Sequence, residues 1–168
     1  MAIRAFLPLL IVGASLAALA QPVRTVILVR HAERAGGTGP EVGISDAGRC
    51  RAEVLAGMLA DAGIGHIFTT EVGRTQQTAS PLAKRLNLKP EVVPAKQTEV
   101  LVAKLRSLTG GAALVVGHSN TVPEIIEGLG AGTVAPIGDA DYDRLFIATV
   151  TGPKEASVIT LHYKGCGQ

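Results

Sequence analysis

Short apolar segments alternate along most of the chain with segments whose apolar residues recur at helical spacing. Two segments, Val26–Val29 and Ala112–Val116, are uniformly apolar, as is typical of strands buried on both faces. Shorter strands are predicted at Ile64–Thr70, Glu91–Val93, Leu145–Val150 and Ser157–Tyr163. Helices are predicted after the N-cap residue Ser45 and at Thr75–Leu86, Glu99–Leu108 and Val122–Leu129. The alternation predicts one α/β domain, a three-layer α/β/α sandwich with a mainly parallel central sheet.

The first twenty residues follow a different pattern. Arg4 precedes the apolar segment Ala5–Ala17, and Ala18–Ala20 has the small–x–small order of a signal-peptide cleavage site. The apolar segment is shorter than the roughly 20 residues that span a bilayer. We therefore predict a signal peptide at residues 1–20 and an exported domain at residues 21–168, periplasmic or secreted, with no stable membrane insertion after cleavage. An uncleaved N-terminal anchor is the alternative interpretation.

Composition narrows the classes of partner. The formal net charge is +2, the basic residues are scattered, and three phenylalanines and two tyrosines offer little surface for base stacking, so no nucleic-acid partner is expected. Cys50 and Cys166 are too few for a structural zinc site, but they suit an oxidising compartment. A disulfide between them would stabilise the fold by about 4 kcal/mol in the chain-entropy model. Their separation in space is not encoded in the spacing, so the pairing stays open.

Three of the predicted strands are followed by polar residues of matching chemistry. Val26–Val29 continues into Arg30-His31-Ala32-Glu33-Arg34, the strand ending at Thr70 precedes a helix that begins near Arg74, and Val116 is followed by Gly117-His118. In a parallel sheet the carboxyl ends of the strands lie at one edge, where ligands bind. The groups expected to converge there are Arg30, His31, Arg34, Arg74 and His118.

Three guanidinium groups beside two helix N-termini favour an anion, above all a phosphate dianion with its several acceptor oxygens. Two histidines in such a site indicate nucleophilic catalysis, in which one neutral imidazole attacks phosphorus while the arginines and the second histidine hold the charge. Metal binding is the competing interpretation. Three arginines repel divalent cations, and the sequence has no H-x-x-x-H pair or cysteine cluster. We therefore expect neither a metal nor an organic cofactor.

These segments carry a family resemblance. Arg30-His31-Ala32, the block Arg74–Ala79 and Gly117-His118 together resemble the histidine phosphatase superfamily, which includes phosphoglycerate mutases and histidine acid phosphatases. The resemblance extends in order and spacing over essentially the whole predicted mature chain. It implies a phosphoglycerate mutase-like fold, His31 as the nucleophile that forms a phosphohistidine, and a phosphate pocket made by Arg30, Arg74 and His118. The family usually has Arg-His-Gly, and here Ala32 replaces that glycine.

The resemblance also bears on a third arginine and on the proton donor. The acid-phosphatase branch has a further arginine four positions after the first, where this chain has Arg34, and an aspartate after the second histidine, where it has Ser119. The mutase-like branch takes its acid from a loop beyond the second arginine, and by that analogy Glu99 is the predicted catalytic acid. Glu33 and Glu71 are the alternatives. Glu99 also fits a helix-start carboxylate that merely interacts with the helix dipole.

The main functional prediction is an exported phosphomonoester hydrolase that acts through a phosphohistidine on His31. Its substrate is a small phosphorylated molecule or a phosphoprotein, and the short, glycine-rich segments at residues 35–43 and 130–143 favour an open site. A phosphoglycerate mutase-like phosphotransferase is a second interpretation, which export and the short chain disfavour. A third is a non-catalytic phospho-ligand binding module on the same fold, suggested by Ser119 in place of an acid. Turnover of an aryl phosphate separates the third from the others.

Overall fold

The protein is described by a computed structural model that covers residues 23–152 and 155–166. The elements in chain order are β1 (Arg24–Arg30), α1 (Asp46–Leu59), β2 (Ile64–Thr69), α2 (Gly73–Arg85), β3 (Glu91–Val92), α3 (Thr98–Ser107), β4 (Ala112–Gly117), α4 (Thr121–Gly128), β5 (Arg144–Val150) and β6 (Ala156–His162). The predicted signal peptide lies outside the described residues. None of the four helices in the described ranges is long and apolar enough to cross a membrane.

The six strands form one sheet in the order β3-β2-β4-β1-β5-β6. The four strands β3, β2, β4 and β1 are parallel, whereas β5 runs antiparallel to β1 and β6 antiparallel to β5. The predicted α/β fold with a mainly parallel sheet is therefore confirmed. The two antiparallel strands, which follow one another in the sequence, close one side of the sheet.

Strand β1 packs into both hydrophobic layers, which explains its uninterrupted apolar sequence. Val26 and Leu28 join the core beneath α3 and α4, whereas Ile27 and Val29 join the core beneath α1 and α2. All four side chains are buried, because successive residues of a strand point to opposite faces. The strand that leads into the predicted site is thus fixed from both sides of the sheet.

The start of α1 is fastened to the loop that follows β1. Ser45 is the N-cap, as predicted, and its hydroxyl accepts a hydrogen bond from the Gly48 amide at 3.1 Å. The Ser45 amide donates to the Glu33 carbonyl oxygen at 2.8 Å. A Cβ on Gly48 would lie 2.4 Å from that same oxygen, so only glycine allows so close an approach.

Cys50 and Cys166 form a disulfide with a Cα–Cα distance of 5.8 Å, which settles the pairing that the sequence left open. The bond ties the C-terminal tail to α1 across a sequence separation of 116 residues. Next to it, buried Arg51 donates to a Glu33 carboxylate oxygen at 2.8 Å and to the Tyr163 carbonyl at 2.9 Å. The tail and the loop after β1 are therefore both held by α1.

Candidate active site

His31 and His118 are brought together by the register of two neighbouring parallel strands. Arg30 of β1 pairs with Gly117 of β4, and the ladder continues one residue further through a 2.9 Å bond from the His31 amide to the Gly117 carbonyl. The two imidazole rings meet edge to face, with their centroids 5.5 Å apart. The predicted convergence of these strand ends is what places two histidines side by side.

The hydrogen bonds of His31 define its tautomer. Its Nδ1–H donates to the Ala32 carbonyl at 2.8 Å, and its Nε2 accepts a bond from Arg74 Nε at 3.0 Å. The ring is 4% exposed, and burial lowers its pKa to about 4, with the positive charges of Arg74 and Arg30 acting in the same direction against the raising effect of the Ala32 bond. At neutral pH His31 is therefore an uncharged imidazole with its lone pair on Nε2.

Arg74 is positioned by a threonine that the sequence analysis did not single out. The hydroxyl of Thr78 accepts from the Ala32 amide at 2.9 Å and donates to the Arg74 carbonyl at 2.8 Å. One buried side chain thus joins the residue after His31 to the first turn of α2, which carries Arg74. Arg74 Nη1 is itself buried and has no hydrogen-bond partner in the described part of the chain. That donor is available to a ligand.

His118 rests on a pair of buried threonine hydroxyls. Its Nε2 lies 3.0 Å from Thr70 Oγ1, which in turn lies 3.0 Å from Thr75 Oγ1. Burial lowers the pKa of His118, and the charge of Arg74 lowers it further. The His118 amide donates to Thr121 Oγ1 at 2.9 Å at the start of α4. The sequence feature that could have indicated these contacts is the position of the three threonines: Thr70 follows a strand, and Thr75 and Thr121 lie in the first turns of helices.

Arg30 is held by the loop between α4 and β5. Its Nη1 donates to the carbonyl oxygens of Gly138 at 2.7 Å, Asp139 at 3.0 Å and Asp141 at 3.3 Å. Its guanidinium carbon lies 4.3 Å from the centroid of the Tyr142 ring. The sequence analysis predicted only that this loop borders an open site. Its contacts with Arg30 were missed because they are made by backbone carbonyls, which leave no signature in the sequence.

These groups surround a cavity of about 460 Å³. Its lining consists of Arg30, His31, Arg34, Val72, Arg74, His118, Ser119, Asn120, Asp139 and Tyr142. Arg34 is exposed, and the charges of Arg34 and Arg30 add to burial in lowering the pKa of Arg74. The three guanidinium groups therefore repel one another at this cavity, and a multivalent anion would relieve that repulsion.

The structure does not bring Glu99 to this cavity, so its prediction as a site residue is corrected here. Leu101 and Leu105 turn one face of α3 into the core, and Thr98 donates to a Glu124 carboxylate oxygen at 2.8 Å. Glu99 instead lines a separate depression between α3 and α4.

The two alternative acids have partners of their own. A Glu33 carboxylate oxygen lies 2.7 Å from a nitrogen of buried Arg51, and a Glu71 carboxylate oxygen accepts from the Ala95 amide at 2.8 Å. The negative charge of Glu71 does reach His118, whose pKa it raises against the stronger lowering effects. Among the cavity-lining residues in the described ranges, Asp139 is the one acidic residue.

Comparison with known proteins agrees with this picture. Residues 26–99, which include His31 and Arg74, match the profile of the histidine phosphatase superfamily (branch 1). The PE-PGRS family protein PE_PGRS11 of Mycobacterium tuberculosis is 36% identical over 74 residues, a match that covers 39% of this chain and 13% of that protein. The chain thus spans only a small part of that relative's length.

Two solved structures share the fold at low sequence identity. The protein histidine phosphatase SixA complexed with tungstate is 21% identical, covers 82% of this chain and 96% of its own, and gives a TM-score of 0.67. Mycobacterial glucosyl-3-phosphoglycerate phosphatase is 14% identical, and the match covers 86% of this chain and 100% of that protein with a TM-score of 0.65. Together with the profile match over residues 26–99, the shared fold confirms the resemblance to the histidine phosphatase superfamily that is seen in the sequence.

Proposed function

We propose that this protein is an exported phosphomonoester hydrolase that works through a phosphohistidine on His31. One observation carries the proposal: His31 is buried as a neutral imidazole, and its Nε2 lies within hydrogen-bond distance of Arg74 in an arginine-lined cavity. A neutral imidazole is a nucleophile at physiological pH, and arginines beside it stabilise the charge of a transferring phosphoryl group. A binding protein has no need of such a nucleophile.

The reaction proceeds in two displacements. The substrate phosphate binds to Arg30, Arg34, Arg74 and His118, and its oxygens take over the donors of Arg74, which releases the lone pair of His31 Nε2. Nε2 attacks phosphorus in line, an N–P bond forms, the P–O bond to the leaving group breaks, and that oxygen takes up a proton. Water then attacks phosphorus and gives up a proton, the N–P bond breaks, and inorganic phosphate leaves neutral His31 behind.

Asp139 is our candidate for the proton donor in the first step and acceptor in the second. It lines the cavity, whereas Glu99 lies outside it and Glu33 is engaged by Arg51. Ser119, directly after the second histidine, has a hydroxyl that is too weak an acid for this task. Asp139 therefore replaces Glu99 in the proposed mechanism.

Export rests on the leader pattern of residues 1–20 and is supported by the disulfide between Cys50 and Cys166, a bond typical of oxidising compartments. A cavity of about 460 Å³ suits a small phosphorylated substrate. Because a structural neighbour is named a protein histidine phosphatase, phosphoproteins belong among the substrates to be tested.

The test uses residues 21–168 with a ³²P-labelled phosphomonoester, quenched in base. We expect base-stable, acid-labile label on the wild-type protein and its loss, together with hydrolysis, in His31→Ala. The matched control is His66→Ala, which removes a histidine near the amino end of β2 whose ring contacts the Gly110 carbonyl at 3.2 Å. Wild-type hydrolysis by His31→Ala would overturn the mechanism. Phosphate binding by the wild type without any hydrolysis would instead support the binding module.

A further inference from the structure

The loop between α4 and β5 stabilises the Arg30 guanidinium with neutral hydrogen-bond acceptors and not with a hydrogen-bonded carboxylate. Three backbone carbonyls, those of Gly138, Asp139 and Asp141, accept bonds from Arg30 Nη1 at 2.7–3.3 Å. The carboxylate of Asp141 pairs instead with Arg144, whose charge-assisted bond lowers the pKa of that carboxyl group. Arg30 is thus held by neutral carbonyl groups of this loop and not by a hydrogen-bonded carboxylate. Its positive charge therefore remains available to attract an anionic ligand.

The ring of Tyr142 completes the support of Arg30. It lies against the guanidinium, 4.3 Å from ring centroid to Cζ, at the distance typical of a cation–π contact. Arg30 is 8% exposed, and its Nε is buried with no hydrogen-bond partner within residues 23–152 and 155–166. A buried donor without a partner costs free energy, and a bound anion would remove that cost.

A second arginine–tyrosine pair in the same protein provides a contrast. Arg51 lies 5.3 Å from the ring of Tyr163, and it is paired with the Glu33 carboxylate. There the ring packs beside a cation that is paired with a carboxylate, and neither Arg51 nor Tyr163 lines the cavity. Tyr142, by comparison, packs against an arginine that lines the cavity, and Tyr142 lines it as well.

We propose that Tyr142 is a positioning residue, which packs against the Arg30 guanidinium and holds it oriented towards the substrate phosphate. This inference rests on the proposed function, because it assigns Arg30 to phosphate binding. A preoriented guanidinium loses less rotamer freedom when the phosphate binds, and the phosphate therefore binds more tightly. The aromatic ring, and not its hydroxyl, performs this task.

The hydrogen bonds that shape the loop do not involve the Tyr142 ring, so the role of Tyr142 can be tested by substitution. Arg144 donates to the carbonyls of Ala135 at 2.9 Å and Pro136 at 2.7 Å, and the Gly138 amide donates to Asp141 at 3.0 Å. A substitution at position 142 leaves all of these bonds in place. Its effect on the site can therefore be separated from a collapse of the loop.

The experiment measures direct binding of orthovanadate, with kcat and KM for an aryl phosphate, in Tyr142→Leu and Tyr142→Phe. We expect Tyr142→Leu to weaken vanadate binding and raise KM by about tenfold, between the values for an exposed and a desolvated cation–π contact converted to affinity, because Tyr142 is half-buried. Tyr142→Phe should stay within about threefold of wild type, because it keeps the ring face. Thr133→Ala, at an exposed position of the same loop, is the matched control and should bind as wild type does.

A double-mutant cycle separates positioning from mere packing. In the Arg30→Ala background, Tyr142→Leu should have no further effect on vanadate affinity, since the residue it positions is gone. Equal losses in both backgrounds, or equal losses for Tyr142→Phe and Tyr142→Leu, would overturn the inference. If the wild type neither binds vanadate nor hydrolyses the substrate, the proposed function itself fails. If it does both and Tyr142→Leu matches it, only the role of Tyr142 fails.

Discussion

Arg74 Nε donates a hydrogen bond to His31 Nε2 at 3.0 Å, so the cation proposed to hold the phosphate also occupies the lone pair of the proposed nucleophile. The other ring nitrogen of His31 donates to the Ala32 carbonyl, which orients the imidazole. In the proposed mechanism, an anion that binds Arg74 would free the lone pair of Nε2 for attack. The proposal therefore couples phosphate binding to activation of His31 through this one bond.

Arg74→Ala should lower kcat for an aryl phosphate by about 10² to 10³, the range found when one donor to a developing anion is removed. Arg74→Lys should recover only part of the activity, because an ammonium cannot reproduce the planar fork of a guanidinium. Steady-state kinetics measure both variants. Arg85→Ala, at the far end of α2 and paired with Glu53 on the surface, is the control and should behave as wild type. Equal kcat values for Arg74→Ala and Arg85→Ala would contradict the assignment.

Activity should fall in acid as His31 becomes protonated. Its pKa is lowered from 6.5 to about 4, so the nucleophile stays neutral through the mildly acidic range. The acidic limb of kcat/KM, which reports the free enzyme, should therefore lie near pH 4 and not near pH 6.5. A limb centred near the ordinary histidine value would show that His31 is not buried as described.

The same shift predicts how stability depends on pH. Between pH 6.5 and about 4 the unfolded chain binds a proton at His31 that the folded protein excludes, so the free energy of unfolding decreases as pH falls through this window. Denaturant unfolding at several pH values measures the slope. His31→Asn should show a shallower slope, because it has no group to titrate there. An unchanged slope in that variant would assign the effect to other groups, with His118 the first to test.

Asp139→Asn should slow alkyl phosphates far more than aryl phosphates, by about tenfold or more in kcat, because only a basic leaving oxygen needs the proton. Glu99→Gln is the matched control, since Glu99 lines a different depression and its loss should leave both substrates unaffected. Rates for a series of leaving groups measure the difference. The reverse result, with Glu99→Gln impaired and Asp139→Asn normal, would restore the prediction made from spacing.

Reduction of the Cys50–Cys166 disulfide should lower the free energy of unfolding by about 2–5 kcal/mol. Denaturant unfolding with and without a reductant measures the change. A double Cys50→Ser, Cys166→Ser variant should match the reduced protein and should not respond to reductant. If oxidised and reduced wild type unfold at the same denaturant concentration, the bond adds nothing to stability.

Periodicity predicted most of this fold because the physics behind it is local. Val26–Val29 alternates between two cores, and a run of apolar residues is what such a strand requires. Parallel strand ends then bring His31 and His118 together with no further information. Glu99 does not line the cavity because the facing of α3 depends on its packing: Leu101 and Leu105 point into the core, and Glu99 lines a depression beside α4.

Other parts of the site lie beyond what sequence patterns encode. Thr70 directly follows β2, and Thr75 and Thr78 lie in the first turns of α2. Their role in the site depends on hydrogen bonds between separate segments, which the sequence does not specify. The contact of Tyr142 with Arg30 joins residues 112 positions apart through an irregular loop. The cysteine pairing likewise needed a distance between α1 and the tail that no spacing rule supplies.

Backbone carbonyls hold Arg30 from the loop between α4 and β5, and this has a consequence for how that loop can vary. Any residue type presents a carbonyl, so an exchange of the side chain at position 139 leaves its acceptor in place. Position 141 differs, because the Asp141 carboxylate also accepts from the Gly138 amide and pairs with Arg144. A deletion or insertion of a single residue in the loop would shift all three acceptors at once. With respect to Arg30, the length of the loop is therefore more constrained than its side chain at position 139.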